Sequence, residues 1–137
     1  MDINRLSDNL SRYAANYSPA RLFPKIKKVA RKVGSKMIFT VLIIYYATFD
    51  KNIPVKDRLM LAGALGYFIL PVDLIPDMLP GGFADDAAAL AYVARHIWNN
   101  LSSETIAKAR RSVREMFPDI DADTLTLTDT QSSSDSQ

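Results

Sequence analysis

Residues 37–49 read MIFTVLIIYYATF, and this stretch constrains the fold more than any other. It is apolar on every side of a helical wheel, with only Thr40 and Thr48 interrupting. A helix of that kind must be covered all round, by protein or by lipid. Its thirteen residues reach only about 20 Å, against roughly 30 Å of bilayer hydrocarbon. Lys36 and Asp50 bound it. A second apolar stretch, LMLAGALGYFILPV at 59–72, follows Arg58. The turn DKNIP at 50–54 lies between them, so the two read as an antiparallel helical hairpin. Within the second stretch, Ala62 and Gly66 form a small-x-x-x-small pair that suits close helix contact.

The flanks carry helical periodicity too. Ile3, Leu6, Leu10, Tyr13 and Tyr17 recur on one face, predicting a short amphipathic helix over 2–16. Ser18-Pro19 starts another, as N-cap and first helical residue, unless Pro24 moves the start one turn on. Residues 21–36 hold seven basic residues and no acid, with Leu22, Ile26, Val29, Ala30, Val33 and Met37 opposite. This is a basic amphipathic helix, which could run on into the apolar stretch. It is either a solvated face of the bundle or one lying on an anionic surface, with Lys25, Lys27, Lys28, Arg31, Lys32 and Lys36 as its membrane-surface residues. Pro71, Pro76, Pro80 and Gly81-Gly82 build a loop after the hairpin. Helices over 86–101 and 104–117 follow, the last capped by Ser102-Ser103. The fold class is therefore all-α: about five helices around a central apolar hairpin.

Charge follows the same order. The formal +2 conceals +8 over residues 1–58, −4 over 59–94, +3 over 95–115 and −5 over 116–137. The chain has 137 residues, enough for one domain, which we place at 1–117. Residues 118–137 are polar, acidic and without aromatics, and read as a disordered tail. Asp2 and Asp8 with no early apolar run argue against a signal peptide. No cysteine is present, which excludes thiol catalysis and cysteine metal sites. The single histidine, His96, argues against a triad hydrolase and reads as structural. Tyr45, Tyr46, Tyr67 and Trp98 lie near the ends of apolar segments, where belt and core aromatics both occur.

The most distinctive segment is PVDLIPDMLPGGFADD, residues 71–86. Asp73, Asp77, Asp85 and Asp86 lie within fourteen residues, and no base lies between Arg58 and Arg95. Such oxygen clusters suit Mg²⁺ or Ca²⁺, and paired carboxylates can split their pKa values for acid–base work. Capping competes with both and outweighs them. Asp85 and Asp86 fit a helix N-terminus, while Asp73 and Asp77 follow prolines and can close turns.

This segment resembles the signature of the YkvA family, a bacterial domain of unknown function. The matching positions are Pro71, Asp73, Leu74, Ile75, Pro76, Asp77, Pro80, Asp85 and Asp86, within a core of about 59–95. The MLPGGFA loop is one residue shorter than in many members. The resemblance implies a small, mainly helical protein, often predicted to be membrane-associated, with no established activity, substrate or cofactor.

Four functions compete. The leading one is a membrane-associated helical protein without evident catalysis, at a bacterial inner membrane. Its hairpin enters or crosses the bilayer as transmembrane helix, a shallow hairpin being favoured over two full spans because both segments are short, with Lys36 and Arg58 flanking on one side and lipid as partner. The second is a soluble, cytoplasmic helical-bundle interaction module, with a protein partner or a second copy. The third is a divalent-cation protein using Asp73, Asp77, Asp85 and Asp86; no other cofactor is expected. The fourth, nucleic-acid binding, lacks a base-reading motif and is opposed by the acidic tail.

Overall fold

The computed structural model describes residues 3–69 and 86–118, with backbone alone for 31–33 and 86–88. The described chain is helical: α1 (Ile3–Ser11), a 3₁₀ turn (Ala14–Asn16), α2 (Pro19–Ala47), α3 (Val55–Ile69), α4 (Asp86–Trp98) and α5 (Ser103–Met116). No strand occurs among the described residues. The tail beyond residue 118 lies outside them.

Local chemistry accounts for most boundaries. Ser18 caps α2, its Oγ accepting from the Arg21 amide at 3.3 Å, and Pro19 sits at the first helical position. Pro24 therefore lies inside the helix and not at its start. Ser102 caps α5 in the same way, accepting from the Thr105 amide at 3.2 Å. The Pro54 carbonyl accepts from Asp57 and Arg58, so α3 opens at Val55, one turn before the apolar run. The helix expected over 2–16 breaks instead: Tyr13 takes φ −94° and ψ 0°, and a 3₁₀ turn completes the segment.

The decisive residue is Gly34. Its φ of 85° and ψ of 166° are not helical, and this region of backbone space belongs to glycine almost alone. Residues 23 and 45 stand eleven positions either side of it. In a straight helix they would be about 33 Å apart. Their rings instead meet edge-on, with Phe23 and Tyr45 centroids 5.0 Å apart. Tyr17 likewise reaches Thr48. The chain therefore reverses at Gly34, and α2 is two antiparallel arms, 19–33 and 35–47. The basic helix does not run on into the apolar segment; it folds back along it.

That reversal lets the bundle close. Residues 38–44 of the second arm are fully buried, on every side of the helix. Leu22 and Ile26 of the first arm, Leu6 and Leu10 of α1, and Val93 and Ile97 of α4 share this core. Thr40, the one polar residue among 38–44, donates to the Lys36 carbonyl at 2.9 Å and so leaves no hydroxyl unsatisfied. Helix α5 lies on α2, with Tyr46 Oη and Ser112 Oγ 2.7 Å apart and Arg110 over the Phe39 ring at 5.1 Å. Helices α1 and α4 lie on α3.

Of the expected Ala62–Gly66 pair, Gly66 takes a close approach to a neighbouring backbone, and Gly63 takes another. A Cβ on Gly63 would collide with the Leu10 carbonyl, and one on Gly66 with the Tyr13 carbonyl. The end of α1 and the 3₁₀ turn thus rest backbone-on-backbone against α3, with Tyr13 and Tyr67 edge-on at 5.2 Å. The expected transmembrane helix is also corrected. Among the described residues no helix is long and apolar enough to cross a membrane. Gly34 limits the apolar arm of α2 to 35–47, about 20 Å, and the described part of α3 has 15 residues, about 22 Å.

Candidate functional site

The aspartate segment joins α3 to α4. Pro71, Asp73, Leu74, Ile75, Pro76, Asp77, Pro80 and Asp85 lie outside the described residues, as do residues 70–72 of the second apolar stretch. Asp86 is the first described residue of α4, and its side chain is not among those described. No group of three His, Asp or Glu side chains among the described residues could hold a metal. The Mg²⁺ or Ca²⁺ expectation therefore falls on positions outside them.

What the structure places is the rim of that segment. Lys25 Nζ donates to the Ile69 carbonyl at 3.4 Å, at the last described residue of α3. Of the six basic residues assigned to a surface face, Lys25 is thus half-buried and turned to α3, while Lys27, Lys28 and Lys36 are exposed. The side chains of Arg31 and Lys32 are not described.

Lys36 and Arg58 do not flank the hairpin on one side. Arg58 donates from Nη2 to the Asp50 carbonyl at 3.2 Å and from Nε to the Ile53 carbonyl at 3.1 Å. It is therefore fixed at the 50–54 turn, about 20 Å along the arm from Lys36. An antiparallel hairpin puts the start of its first helix and the start of its second at opposite ends.

Asp50, which the sequence offers only as a turn residue, is the polar centre of that end. It is 7% exposed. One carboxylate oxygen accepts the Asn52 amide at 2.9 Å, a local Asx turn. The other accepts the Ser102 amide at 2.9 Å and the Thr105 hydroxyl at 2.7 Å. Burial alone would raise its pKa. The amides of Ser102 and Asn52 and the hydroxyls of Thr105 and Ser102 together outweigh it, and the pKa falls below its ordinary 3.8. The Asp50-Lys51-Asn52 string signals the turn; nothing in the sequence signals that residues 102 and 105 would supply the other donors.

Around this node the surface is mixed. A shallow cleft is lined by Tyr46, Phe49, Lys51, Glu104 and Lys108. Tyr45 and Phe49 meet edge-on at 5.3 Å. Tyr17 is pushed up to about 12 by burial and by Tyr45, with Thr48 opposing, so it is neutral at physiological pH. His96 Nε2 lies 3.8 Å from Asp57 Oδ1, joining α4 to the start of α3. These groups tie loops together; none is arranged as nucleophile and base.

Residues 57–92 match a family described only as a protein of unknown function (DUF1232). The chain is also similar to the "Uncharacterized membrane protein YkvA" of Bacillus subtilis (strain 168), at 45% identity over 49 residues. That stretch is 35% of this chain and 46% of the relative, so less than half of the curated protein is spanned. No solved structure matches the chain.

Proposed function

We propose that the chain is a membrane-associated helical bundle of the YkvA kind, held at an anionic membrane surface from outside rather than through its hairpin; the DUF1232 match at residues 57–92 and the similarity to YkvA support the kinship. The relative's name supports the membrane. The mode of attachment rests on one observation: the first arm of α2 has Leu22 and Ile26 of its apolar stripe fully buried in the bundle and Val29 and Ala30 partly buried against it, while Arg21, Lys27 and Lys28 are exposed. An amphipathic helix whose apolar side packs against the bundle offers a membrane mainly charge. Juxtamembrane lysines contribute about 1 kcal/mol each near an anionic surface, and that attraction is screened within about 10 Å at 0.1 M salt. No reaction is assigned.

Fractionation of cells expressing the chain tests this. Pelleting with membranes at low salt and release by a high-salt wash is expected. Retention through both high salt and alkaline carbonate would mean an inserted hairpin and overturn the surface reading. Recovery in the low-salt supernatant would overturn membrane association itself.

A further inference from the structure

Among the described residues the large apolar side chains left exposed are Phe49 at 64%, Val55 at 77% and Leu59 at 53%. All three fall within eleven residues of one turn, between α2 and α3. Val55 and Leu59 are four apart and share one face of α3. Phe49 leaves the end of α2 and packs edge-on to Tyr45, which in turn meets Phe23. The reversal at Gly34 thus brings the exposed Arg21 to this same end of the bundle.

The exposed charges here are mostly basic, with Glu104 the exposed acid beside them. Lys51 and Lys56 are exposed. The acids of the segment are withdrawn: Asp50 is buried under three donors, and Asp57 faces His96. Glu104, from α5, lies 3.7 Å from Lys108. A small apolar cap ringed by cations is complementary to the headgroup and acyl boundary of an anionic bilayer. It is poorly suited to a second copy. A two-fold contact would set these lysines against their own images, and three side chains fall far short of the roughly 800 Å² per partner that a stable dimer buries.

We propose that the α2–α3 turn is a membrane-docking tip. Phe49, Val55 and Leu59 enter the acyl boundary of an anionic leaflet, while Lys51, Lys56 and Arg21 meet lipid phosphates. This rests on the membrane-surface reading above and adds where the protein touches. The buried core behind the tip, residues 38–44, stays folded, so docking needs no unfolding.

The chain has no cysteine, so single labels are clean. Full-length Val55→Cys, Leu59→Cys and, on the exposed side of α5, Arg111→Cys would each carry an environment-sensitive dye. Each would be mixed with vesicles of phosphatidylglycerol and phosphatidylethanolamine. A blue shift at 55 and 59 with none at 111 is expected. The unlabelled double variant Val55→Ser/Leu59→Ser, at two exposed positions, should keep the wild-type melting temperature and lose roughly tenfold or more in vesicle partitioning. Wild-type binding with no shift at 55 or 59, or with the double variant binding equally well, overturns the tip and leaves surface attachment standing. A wild type that binds neither vesicles nor cell membranes overturns both. A blue shift without vesicles that grows with protein concentration assigns the patch to a second copy and overturns the tip.

Discussion

Replacing Gly63 by alanine sets two opposing effects against each other, and the structure decides which wins. In a helix interior, glycine to alanine ordinarily stabilises by about 0.5–1 kcal/mol, because the unfolded chain loses freedom. Gly63 lies mid-helix in α3, so propensity alone predicts a more stable protein. Against this, the new Cβ would overlap the Leu10 carbonyl and stand 2.9 Å from Ser11 Cα. These are backbone atoms, so no rotamer change relieves the clash. The end of α1 must move off α3, and overpacking of this kind costs about 1–3 kcal/mol, occasionally more. The close Cα–H···O contacts that bare backbones allow are also lost, at about 0.5 kcal/mol each. The clash wins, and we expect a net loss of about 1–3 kcal/mol. For a domain near 100 residues, 1 kcal/mol shifts Tm by roughly 4–8 °C. Thermal unfolding followed by far-ultraviolet circular dichroism should therefore show a fall of about 5–20 °C. Ala62→Gly, at a half-buried neighbour, should cost only the propensity difference of about 1 kcal/mol. An unchanged or raised Tm for Gly63→Ala would refute the backbone-on-backbone contact between α1 and α3.

Gly34→Ala meets no atom within 4 Å, yet should destabilise by about 1–3 kcal/mol because alanine resists φ of 85°; a straightened α2 would separate residues 23 and 45, which a pair of spin labels would detect. Asp50→Ala leaves the Ser102 and Asn52 amides and the Thr105 hydroxyl without their acceptor and should cost about 3 kcal/mol in urea unfolding. Its folded pKa lies below the ordinary 3.8, so its contribution is present above that value and is lost as pH falls through the lowered folded pKa. Asp50→Asn should accordingly flatten stability against pH below about 4, and an acid limb as steep as wild type would count against the node. Tyr46→Phe removes the bond to Ser112 and should lower stability by about 1 kcal/mol, measured by the same unfolding.

Much of the architecture is legible in order along the chain. The wholly apolar run 37–49 requires cover on every side, and residues 38–44 are indeed buried all round. Ser18-Pro19 and Ser102 announce helix starts because an N-cap hydroxyl answers a local need, met within three residues. The PVDLIPD string and the Asp-Asp that follows carry the family, since a motif is a property of sequence. What could not be read is what depends on neighbours distant in the chain. Gly34 stands in a run of good helix formers, where one glycine is tolerated; that it reverses the chain follows only because Phe23, Tyr45 and Tyr17 gain contacts by it. Asp50 offers its local turn plainly, but its other donors lie more than fifty residues away. Apolar periodicity reports only the demand for a non-aqueous surrounding, which lipid and protein both meet. Tertiary packing resolved it: α3, α4, α5 and the returned arm of α2 supply that surrounding for residues 38–44. The same packing left Phe49, Val55 and Leu59 outside, because among the described residues no element packs over them.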